Sequence, residues 1–566
     1  MRGALGFTLL VGTVLSILSS AILLYISIAT MIGPWIAPTL VLISSVLFTL
    51  LGKRDANTPQ QLILISVLAS GGGIIAVGIG FSLPMLYFLA PDAFQQLMST
   101  PSYFITRVGT TILLAGSFGI FLGKFLSKTM LKKEGLPFPI SSMTYQIATA
   151  QSHASDAKSL FSGISGTLIF CLLRDGFYSL KGLFAKDWIF LSTSVTGPLI
   201  FSFWPTLWAV GFTIGLTNTI PLLIGLIARY VVLYPINYHS IFLPFSLFAP
   251  LKEESFITAF CAGMIVSDLL LSVLHNPRQA IHYFRNYLKN LHYPRFAAIT
   301  EALWHPIKIL WIDSEQINTF YKRLNSFEPF IGLACFFIFF TALDFSIPAQ
   351  LTILAAMCVA LYEINRLCGK IGLLQIGRFS AFILIPVVVL FKINALQMTA
   401  LTIFFNVAAG VSSDLLFDYK TAELGSVNRN RVHGLQWLGL FISSITVAVI
   451  CYLLFSNLTL GSTELFAHRG RSKALLMQSL HFDHYIITAG FLFGWILKKC
   501  GISPTMAFGG MVMPSQITLG FVFGGILSKL IGSKRDSLLP FCSGVFATET
   551  LWLLISLSLR FISNSL

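Results

Sequence analysis

Long stretches without a charged residue recur along almost the whole chain, and they constrain the fold more than any other feature of the sequence. A helix needs about 20 consecutive apolar residues to cross the hydrocarbon core of a bilayer. Only 10% of the 566 residues are charged, 55% are hydrophobic, and the mean hydropathy is +0.81, which excludes a soluble protein of this length. The sequence therefore predicts an all-α polytopic membrane protein.

The uncharged runs predict about sixteen membrane-spanning helices, in two duplicated halves of eight. The first run is too long for the core of a cleaved signal peptide, so we interpret it as the first span. The predicted spans are 4–30, 34–52, 61–90, 107–126, 157–174, 188–204, 205–240, 254–274, 328–346, 348–368, 373–392, 394–416, 434–456, 483–500, 504–530 and 538–562. The predicted organisation is a first half at 1–274, a basic cytoplasmic linker at 275–327 and a second half at 328–566.

Basic residues lie mainly between the spans, and the formal net charge is +15. Because they form no continuous basic face, nucleic acid is not an expected partner; the expected partner is the lipid bilayer. Lys and Arg are concentrated in the loops on one side, which predicts a plasma (inner) membrane protein with both termini in the cytoplasm. The opposite loops at 457–482 and 531–537 are also basic, so the bias is incomplete.

The eight cysteines are scattered, mostly inside apolar runs, and form no CxxC pair. This pattern is typical of small core residues and not of disulfides or zinc ligands. Four histidines lie in the linker with irregular spacing, so a solvated linker is favoured over a metal site there. No metal site and no cofactor is predicted.

Two stretches of the first half align with two stretches near the end of the chain. FCAGMIVSDLLL at 260–271 aligns with FCSGVFATETLW at 541–552, which places Asp268 on Glu549. WPTLWAVGFTIG at 204–215 aligns with SPTMAFGGMVMP at 503–514. The alternative is chance similarity between glycine-rich apolar segments. A tandem duplication with both halves in one orientation is the interpretation we prefer, and it is typical of secondary transporters.

Several energy sources and reactions are disfavoured by missing motifs. The chain has no GxxxxGK[ST] motif, which argues against ATP-driven transport by this chain alone. It also has no HExxH or GxSxG motif, which argues against the commonest intramembrane hydrolases. Protons or other ions remain as the expected energy source.

Asp414 and Asp418 follow an uncharged run and are four residues apart, so they share one face of a helix. A carboxylate at a helix centre in the membrane costs on the order of 2.5 kcal/mol or more, and such residues usually have a function. We therefore predict that Asp414, Asp418 and the following Lys420 take part in proton coupling or substrate binding. The alternative is a helix that ends here among lipid headgroups.

Other residues within the predicted spans are candidates for the same roles. Glu363 and Arg366 are three apart and form either an ion pair or part of a proton path. Arg229 could hold a substrate carboxylate or extend to the membrane interface. The aligned acids could instead be hydrogen-bonded between helices. The complete predicted set is Asp414, Asp268, Glu549, Asp418, Lys420, Glu363, Arg366, Arg229 and Tyr145.

Glycine and proline clusters predict interrupted helices, whose free backbone groups could line a cavity. The predicted cavity-lining positions are Gly71, Gly72, Gly73, Gly197 and Gly510. The alternative is close helix packing through small residues. Residues 135–154, which include Tyr145, are too polar to span and predict a short re-entrant or interfacial helix.

The stretch from Ser413 to Ser426 resembles the oligopeptide transporter (OPT) family, including its yellow-stripe metal-chelate branch. It contains Asp-Leu-Leu, then Asp-x-Lys-Thr, then a glycine, here Gly425. Leu136-Pro137-Phe138-Pro139 resembles the family's Leu-Pro-Phe-Pro. Three further elements are similar to the family: Ser70 to Pro84, the Arg-x-x-Gly-x-x-Gly at 366–372, and Ser543 to Glu549. The chain departs from the family at Ile140-Ser141, where an acid and a glycine are usual, and it lacks the Asn-Pro-Gly of the eukaryotic peptide branch.

The resemblance implies a proton-coupled secondary transporter that imports short oligopeptides by alternating access. A second hypothesis keeps the transporter but makes the cargo a metal–siderophore or other metal chelate, whose chelator would supply the metal ligands. A third, from another class, is a membrane-embedded enzyme or a channel. An enzyme should show a clustered catalytic set on a loop, and the polar candidates here are spread over the spans, so no enzymatic activity is predicted.

Overall fold

In a computed structural model, the chain is a bundle of helices. The structure describes residues 2–29, 36–51, 57–150, 154–177, 180–183, 187–193, 197–233, 314–372, 390–461, 484–532 and 535–565, with isolated positions within 260–267, 380–388 and 465–474. The predicted spans at 254–274 and 373–392 and most of the predicted linker lie outside the described residues.

The first part of the chain forms ten α-helices, two π-helical turns (Lys128–Lys133 and Ala228–Leu233) and two pairs of short antiparallel strands within the described ranges. The helices are α1 (Arg2–Ala29), α2 (Ala37–Leu50), α3 (Thr58–Gly80), α4 (Pro84–Leu89), α5 (Pro91–Leu97), α6 (Pro101–Ser127), α7 (Pro139–Thr149), α8 (Ala154–Asp175), α9 (Pro205–Ile214) and α10 (Leu216–Ile227). The strands are β1 (Gly176–Phe177), β2 (Leu180–Lys181), β3 (Asp187–Thr193) and β4 (Gly197–Ser202).

The second part is helical wherever the structure describes a regular element. Its helices are α11 (Ser314–Thr341), α12 (Ile347–Ile371), α13 (Ala395–Leu424), α14 (Arg429–Asn457), α15 (His484–Lys499), α16 (Pro504–Val512), α17 (Ser515–Ile531) and α18 (Leu539–Ser565). α11 continues from the predicted linker into the predicted ninth span without a break.

Within the described residues, six helices are long and apolar enough to cross a membrane. They cover 6–28, 58–89, 101–133, 347–371, 395–424 and 429–457. All six coincide with predicted spans, because a run without charge is a direct consequence of lipid as a solvent. The prediction of an all-α polytopic membrane protein is confirmed.

The centre of the packed region is a cluster of phenylalanine rings contributed by α6, α11 and α13. The Phe336 and Phe340 rings have centroids 4.6 Å apart, and the Phe339 and Phe404 rings 4.8 Å apart. Phe118 of α6 packs against Phe336 and Phe404 at 5.3 and 5.7 Å. Edge and tilted contacts of this kind add to the apolar burial that holds the three helices together.

The predicted interruption of the third span is wrong. α3 runs without a break from Thr58 to Gly80, through Gly71, Gly72 and Gly73. A methyl group on Gly72 would lie 2.5 Å from the Ser20 hydroxyl oxygen of α1, so the glycine lets the two helices approach. Small residues here serve close packing, which was the alternative interpretation.

The predicted sixth span at 188–204 is also wrong, because these residues form an antiparallel β-hairpin. Trp188 pairs with Phe201, and Ile189 pairs with Ile200. Gly197, predicted to lie in an interrupted helix, is the first residue of β4. Aromatic and branched residues favour strands, and a helix through Pro198 would lose a backbone hydrogen bond. An uncharged run alone does not distinguish the two structures.

Two pairs of short helices replace straight spans near the ends of the two halves. α9 and α10 form a bent pair with 118° between their axes, and Gly215 lies at the bend with φ +82°. α16 and α17 are separated at Met513 and Pro514. The fifteenth span is predicted to be interrupted at Gly509-Gly510 and Pro514, and the break lies at Met513 and Pro514.

The glycines of these two pairs make reciprocal contacts. A methyl group on Gly211 would lie 2.2 Å from the Phe521 carbonyl oxygen, and one on Gly510 would lie 1.9 Å from the Leu222 carbonyl oxygen. The alignment that places Gly211 on Gly510 also places Leu222 on Phe521. Gly211 therefore contacts Phe521, and its counterpart Gly510 contacts Leu222, which is the counterpart of Phe521. The two contacts are equivalent under the alignment.

The same reciprocity holds at the other aligned positions. Methyl groups on Gly225 and Gly524 would lie 1.8 Å and 2.1 Å from the carbonyl oxygens of Ala507 and Trp208, which are also aligned. Such exchange of equivalent contacts is what two copies of one unit make when they face each other across an approximate twofold axis.

Replacing Gly510 with alanine should destabilise the pair of bent helices. The new methyl group has no space beside the Leu222 backbone, and overpacking of this kind costs about 1–3 kcal/mol. Thermal unfolding of the detergent-purified protein measures the effect. Gly166→Ala is the matched control, because Gly166 lies in α8 with nothing within 4 Å. Equal melting temperatures for the two variants would contradict the packing described here.

Candidate functional site

α13 carries the acidic residues that the sequence singles out. It begins with a capping box, in which the Asn394 side chain accepts from the Gln397 N–H and the Gln397 side chain accepts from the Asn394 N–H. This cap satisfies backbone donors that would otherwise lack partners, and it fixes where the helix starts. The helix then continues for 30 residues and ends at Gly425, which places Asp414 and Asp418 inside it.

Asp414 and Asp418 share one face of α13 and are joined by a single amide. Gln436 of α14 donates through Nε2 to Asp414 Oδ2 at 3.1 Å and also to Asp418 Oδ2. The Ser70 hydroxyl of α3 donates to the same Asp414 oxygen at 3.1 Å. Asp414 is 1% exposed and Asp418 is 3% exposed, so neither carboxylate is at a headgroup surface.

The carboxylates lie deep in the bundle, where α3 passes close to α13. Ser70 is about 18 Å along the helix axis from the first residue of α3. A methyl group on Gly71 would lie 3.7 Å from both Asp414 Oδ2 and Gln436 Oε1, so Gly71 faces the carboxylate site directly. Nearer the end of α3, Gly78 lies against the Asn406 backbone of α13. The stripe of small residues in α3 therefore brings its backbone up to the acidic face.

Neither carboxylate has a cationic partner in the part of the chain that the structure describes. Lys420, predicted to act with them, instead lies 3.5 Å from Glu423 near the end of the helix. The Glu423 side chain is 56% exposed, so this is a surface pair. The site is thus two buried acids with hydrogen-bond donors and without a countercharge.

α7 lies beside this site, between helices of both halves of the chain. It packs against α2, α3, α9, α13 and α18. The Ser141 hydroxyl donates to the Phe417 carbonyl oxygen of α13 at 2.7 Å, and the Phe138 N–H donates to the Gly369 carbonyl oxygen of α12 at 2.8 Å. Tyr145, on the same helix, is half-buried. A short helix at 135–154 is confirmed.

The Leu-Pro-Phe-Pro and Gly-x-x-Gly elements contact each other. A methyl group on Gly369 would lie 2.7 Å from Leu136 Cδ1, and one on Gly372 would lie 2.9 Å from Pro139 Cγ. Phe138 has φ +44° and Gly372 has φ +72°, so both sides of the contact use left-handed backbone. Two sequence elements more than 200 residues apart thus form one structural unit that sets the start of α7.

Arg366 and Glu363 lie near this unit, but the closest carboxylate to Arg366 belongs to another residue. Arg366 Nε donates to Glu134 Oε2 at 3.1 Å, whereas Glu363 Oε1 is 3.9 Å from Arg366 Nη1. The Tyr362 hydroxyl also donates to Glu134, at 2.7 Å. Sequence reasoning missed Glu134 because it follows Lys132 and Lys133 and was assigned to a cytoplasmic loop.

Both carboxylate oxygens of Glu549 accept hydrogen bonds from neighbouring groups. Its Oε1 accepts from Arg174 Nη1 at 2.5 Å, and its Oε2 accepts from the Thr206 N–H in the first turn of α9 at 2.5 Å. Arg174 also donates to Asp175 and to the Phe203 carbonyl oxygen. Arg174 is the last residue of the predicted span at 157–174, and no pattern in the sequence marks it as a partner of Glu549. Asp268, the aligned acid, lies outside the described residues.

Two arginines bind the carbonyl groups at the bends of the short helix pairs. Arg229, at the end of the α9–α10 pair, donates to the carbonyl oxygens of Met511 and Met513 at 3.4 and 3.2 Å. Arg535, after α17, donates to the Thr213 carbonyl oxygen at 2.5 Å. Each arginine thus stabilises the interruption in the opposite pair, because the last carbonyls of a helix lack internal partners.

The predicted cavity-lining glycines are dispersed, and most of them lie in helix contacts. Gly72 and Gly73 lie against α1, and a methyl group on Gly73 would lie 2.6 Å from Leu23 Cδ1. Gly510 lies against the Leu222 backbone, and Gly197 is in β4. Of these positions, Gly71 is the one that faces the carboxylates. Among the described residues, no group of three or more His, Cys, Asp or Glu side chains is placed to hold a metal ion.

Comparison with known proteins identifies the family. The family model described as OPT oligopeptide transporter protein matches residues 7–307, which is more than half of the chain. The match includes Ser70 and the whole of α7, but it ends before α13. No curated protein matches the sequence. The chain therefore belongs to the OPT family and is a multi-pass membrane transporter of oligopeptides or related compounds.

Proposed function

We propose that the protein is a proton-coupled importer of short oligopeptides, and that Asp414, Asp418 and Gln436 form its coupling site. The observation that carries this proposal is a pair of buried carboxylates that share one amide and have no ion-pair partner among the described residues. We place the protein in the plasma (inner) membrane with both termini in the cytoplasm, from the distribution of its basic residues.

Electrostatics explains why such a pair suits coupling. Two carboxylates held by the same amide repel each other strongly in a low-dielectric interior when both are ionised. The repulsion falls when one carboxylate takes up a proton, or when a cation binds between them. A peptide has such a cation at its amino terminus. Proton binding and substrate binding at this pair would therefore depend on each other, as coupled transport requires.

The remaining acids suit a structural role better. Both oxygens of Glu549 accept hydrogen bonds, one from a guanidinium and one from a helix N-terminus. Arg229 is directed at backbone carbonyls of the α16–α17 bend, which leaves a substrate carboxylate as a weaker assignment for it. These groups would keep the geometry of the bent helix pairs constant during alternating access. The contacts of α7, which lies between the two halves, would change in that transition.

Uptake into proteoliposomes tests the proposal. Labelled tri- to hexapeptides and iron-loaded chelators are offered separately, with and without an inward proton gradient. We expect accumulation of peptides only with the gradient. Accumulation of the iron chelates in place of peptides would assign the metal-chelate function instead. Uptake of neither class, or peptide uptake that ignores the gradient, would contradict the proposal.

Asp414→Asn should reduce gradient-driven uptake by about tenfold or more, because an amide cannot exchange a proton at this depth. The substitution keeps the size of the side chain and its ability to accept from Ser70 and Gln436, so membrane expression should not change. Glu423→Gln is the matched control, since Glu423 is an exposed acid on the same helix. Normal uptake by Asp414→Asn would show that the residue is not part of the coupling site.

Glu549→Gln should lower thermal stability, because it leaves the buried Arg174 guanidinium without a full countercharge. Breaking a buried ion pair by removing one partner costs about 3–5 kcal/mol. The exposed Lys420–Glu423 pair is the comparison, and its loss should cost no more than about 1 kcal/mol. Melting temperatures of the purified variants measure both. A stable Glu549→Gln variant that has lost proton coupling would instead place Glu549 in the proton path.

A further inference from the structure

A second buried polar cluster lies beside Tyr419, and the function proposed above does not use it. Its centre is Glu328 of α11, which is 1% exposed. The Lys124 ammonium of α6 donates to Glu328 Oε2. His433 Nε2 of α14 lies 3.1 Å from Glu328 Oε1. One carboxylate therefore joins three helices.

His433 is held on both ring nitrogens by polar groups. Its Nδ1 is 2.8 Å from the Tyr419 hydroxyl oxygen of α13, and its ring stacks on the Tyr419 ring with 28° between the planes. The Arg429 guanidinium carbon lies 3.9 Å from the centre of the Tyr419 ring. His433 itself is 2% exposed, so its partners are protein groups and not bulk water.

We propose that His433 is a second proton-binding site of the transporter, formed by the Glu328 carboxylate on one side and the Tyr419 hydroxyl on the other. The inference rests on the proposed proton-coupled function and adds a residue that it did not contain. The Tyr419 hydroxyl can bond Nδ1 in both protonation states of the ring. In the neutral ring, the Tyr419 hydroxyl donates to Nδ1; in the charged ring, Nδ1–H donates to the Tyr419 oxygen.

The contact with Glu328 favours the charged ring. Nε2 and Oε1 face each other at ion-pair distance, but their alignment does not satisfy a hydrogen bond. Coulomb attraction needs no alignment, so an imidazolium gains from this contact what a neutral ring does not. Lys124 opposes the gain, since it already neutralises part of the Glu328 charge. The charges of Glu328 and Lys124 therefore act on the His433 ring in opposite directions.

The position of His433 couples it to the carboxylate pair. His433 and Gln436 are three residues apart on one face of α14, and their partners on α13, Tyr419 and Asp418, are consecutive. The two sites are therefore neighbouring cross-links between the same two helices. A positive charge on His433 attracts the carboxylates, so protonation at one site changes the cost of protonation at the other. The charged and titratable described groups nearest to it are Lys124, Glu328, Asp418, Tyr419 and Arg429.

The test is the rate of peptide exchange in proteoliposomes as a function of pH, with equal pH on both sides so that no proton gradient drives transport. The measured quantity is the pH of the inflection in this rate that the proposal assigns to His433. Glu328→Gln removes the anion that stabilises the charged ring, so the inflection should move to lower pH by about one unit or more. Lys124→Gln removes the opposing cation, so the inflection should move to higher pH. His433→Gln should abolish this inflection while exchange continues.

A control variant and the direction of the shifts distinguish proton binding at His433 from a purely structural role. Tyr362→Phe is the control, because it removes a tyrosine hydrogen bond of similar length outside the cluster, and its profile should equal that of the wild type. A purely structural cross-link predicts lower activity with an unmoved inflection, or shifts of the same sign in both charge variants, and either result overturns the inference. If wild-type uptake is gradient-driven and the variants do not shift, the inference alone fails; if wild-type uptake ignores the gradient, the proposed function fails first.

Discussion

The cost of an unpaired charge in lipid is the constraint on which this structure depends. The buried carboxylates Glu549 and Glu328 are each paired with a cation, Arg174 and Lys124 respectively. Breaking either pair would leave a charge in a low-dielectric interior. Asp414 and Asp418 are different, because two acids face one neutral amide. Two buried acids that share one neutral amide are stabilised when a proton or a cation binds there.

Close packing through glycine gives the bundle the rigidity that such a site needs. The reciprocal glycine contacts bring the backbones of the α9–α10 and α16–α17 pairs together without space for even a methyl group. Arg229 and Arg535 then bind the carbonyls at the two bends. Non-helical backbone groups at membrane depth thus find hydrogen-bond partners within the protein, which is necessary because lipid offers none. The short α7 is tied to α13 by a hydroxyl hydrogen bond and to α12 by a backbone hydrogen bond.

Much of the fold and the principal acids could be predicted from the sequence, and the reasons for the failures are physical. Hydropathy identifies the long spans, since lipid excludes charge over the whole length of a helix. It does not distinguish an uncharged helix from an uncharged hairpin, which is why 188–204 was assigned wrongly. The cluster at Gly71 to Gly73 was interpreted as a break because glycine is a weak helix former, but in lipid the gain from packing against α1 decides. The alignment of the halves predicted equivalent glycines, although it could not predict that they exchange contacts.

The partners of the site were the hardest part to predict. Asp414 and Asp418 stand out in one sequence, but Ser70 is 344 residues away from Asp414 along the chain and Gln436 has no distinguishing pattern around it. Arg174 and Glu328 are terminal residues of predicted spans and Glu134 lies between spans, so the sequence pattern singles out none of the three. Tertiary contacts determine which buried charges form ion pairs. They therefore also determine which acids can bind a proton or a substrate.

The most direct measurement of the central claim is proton movement itself. A pH-sensitive dye is enclosed in proteoliposomes with no imposed gradient, and peptide is added outside. The account predicts that the interior of wild-type vesicles acidifies when peptide enters, and that it does not when Asp414 and Asp418 are both replaced by asparagine. Acidification by the doubly substituted protein at the wild-type rate, or peptide entry without acidification by the wild type, would contradict it.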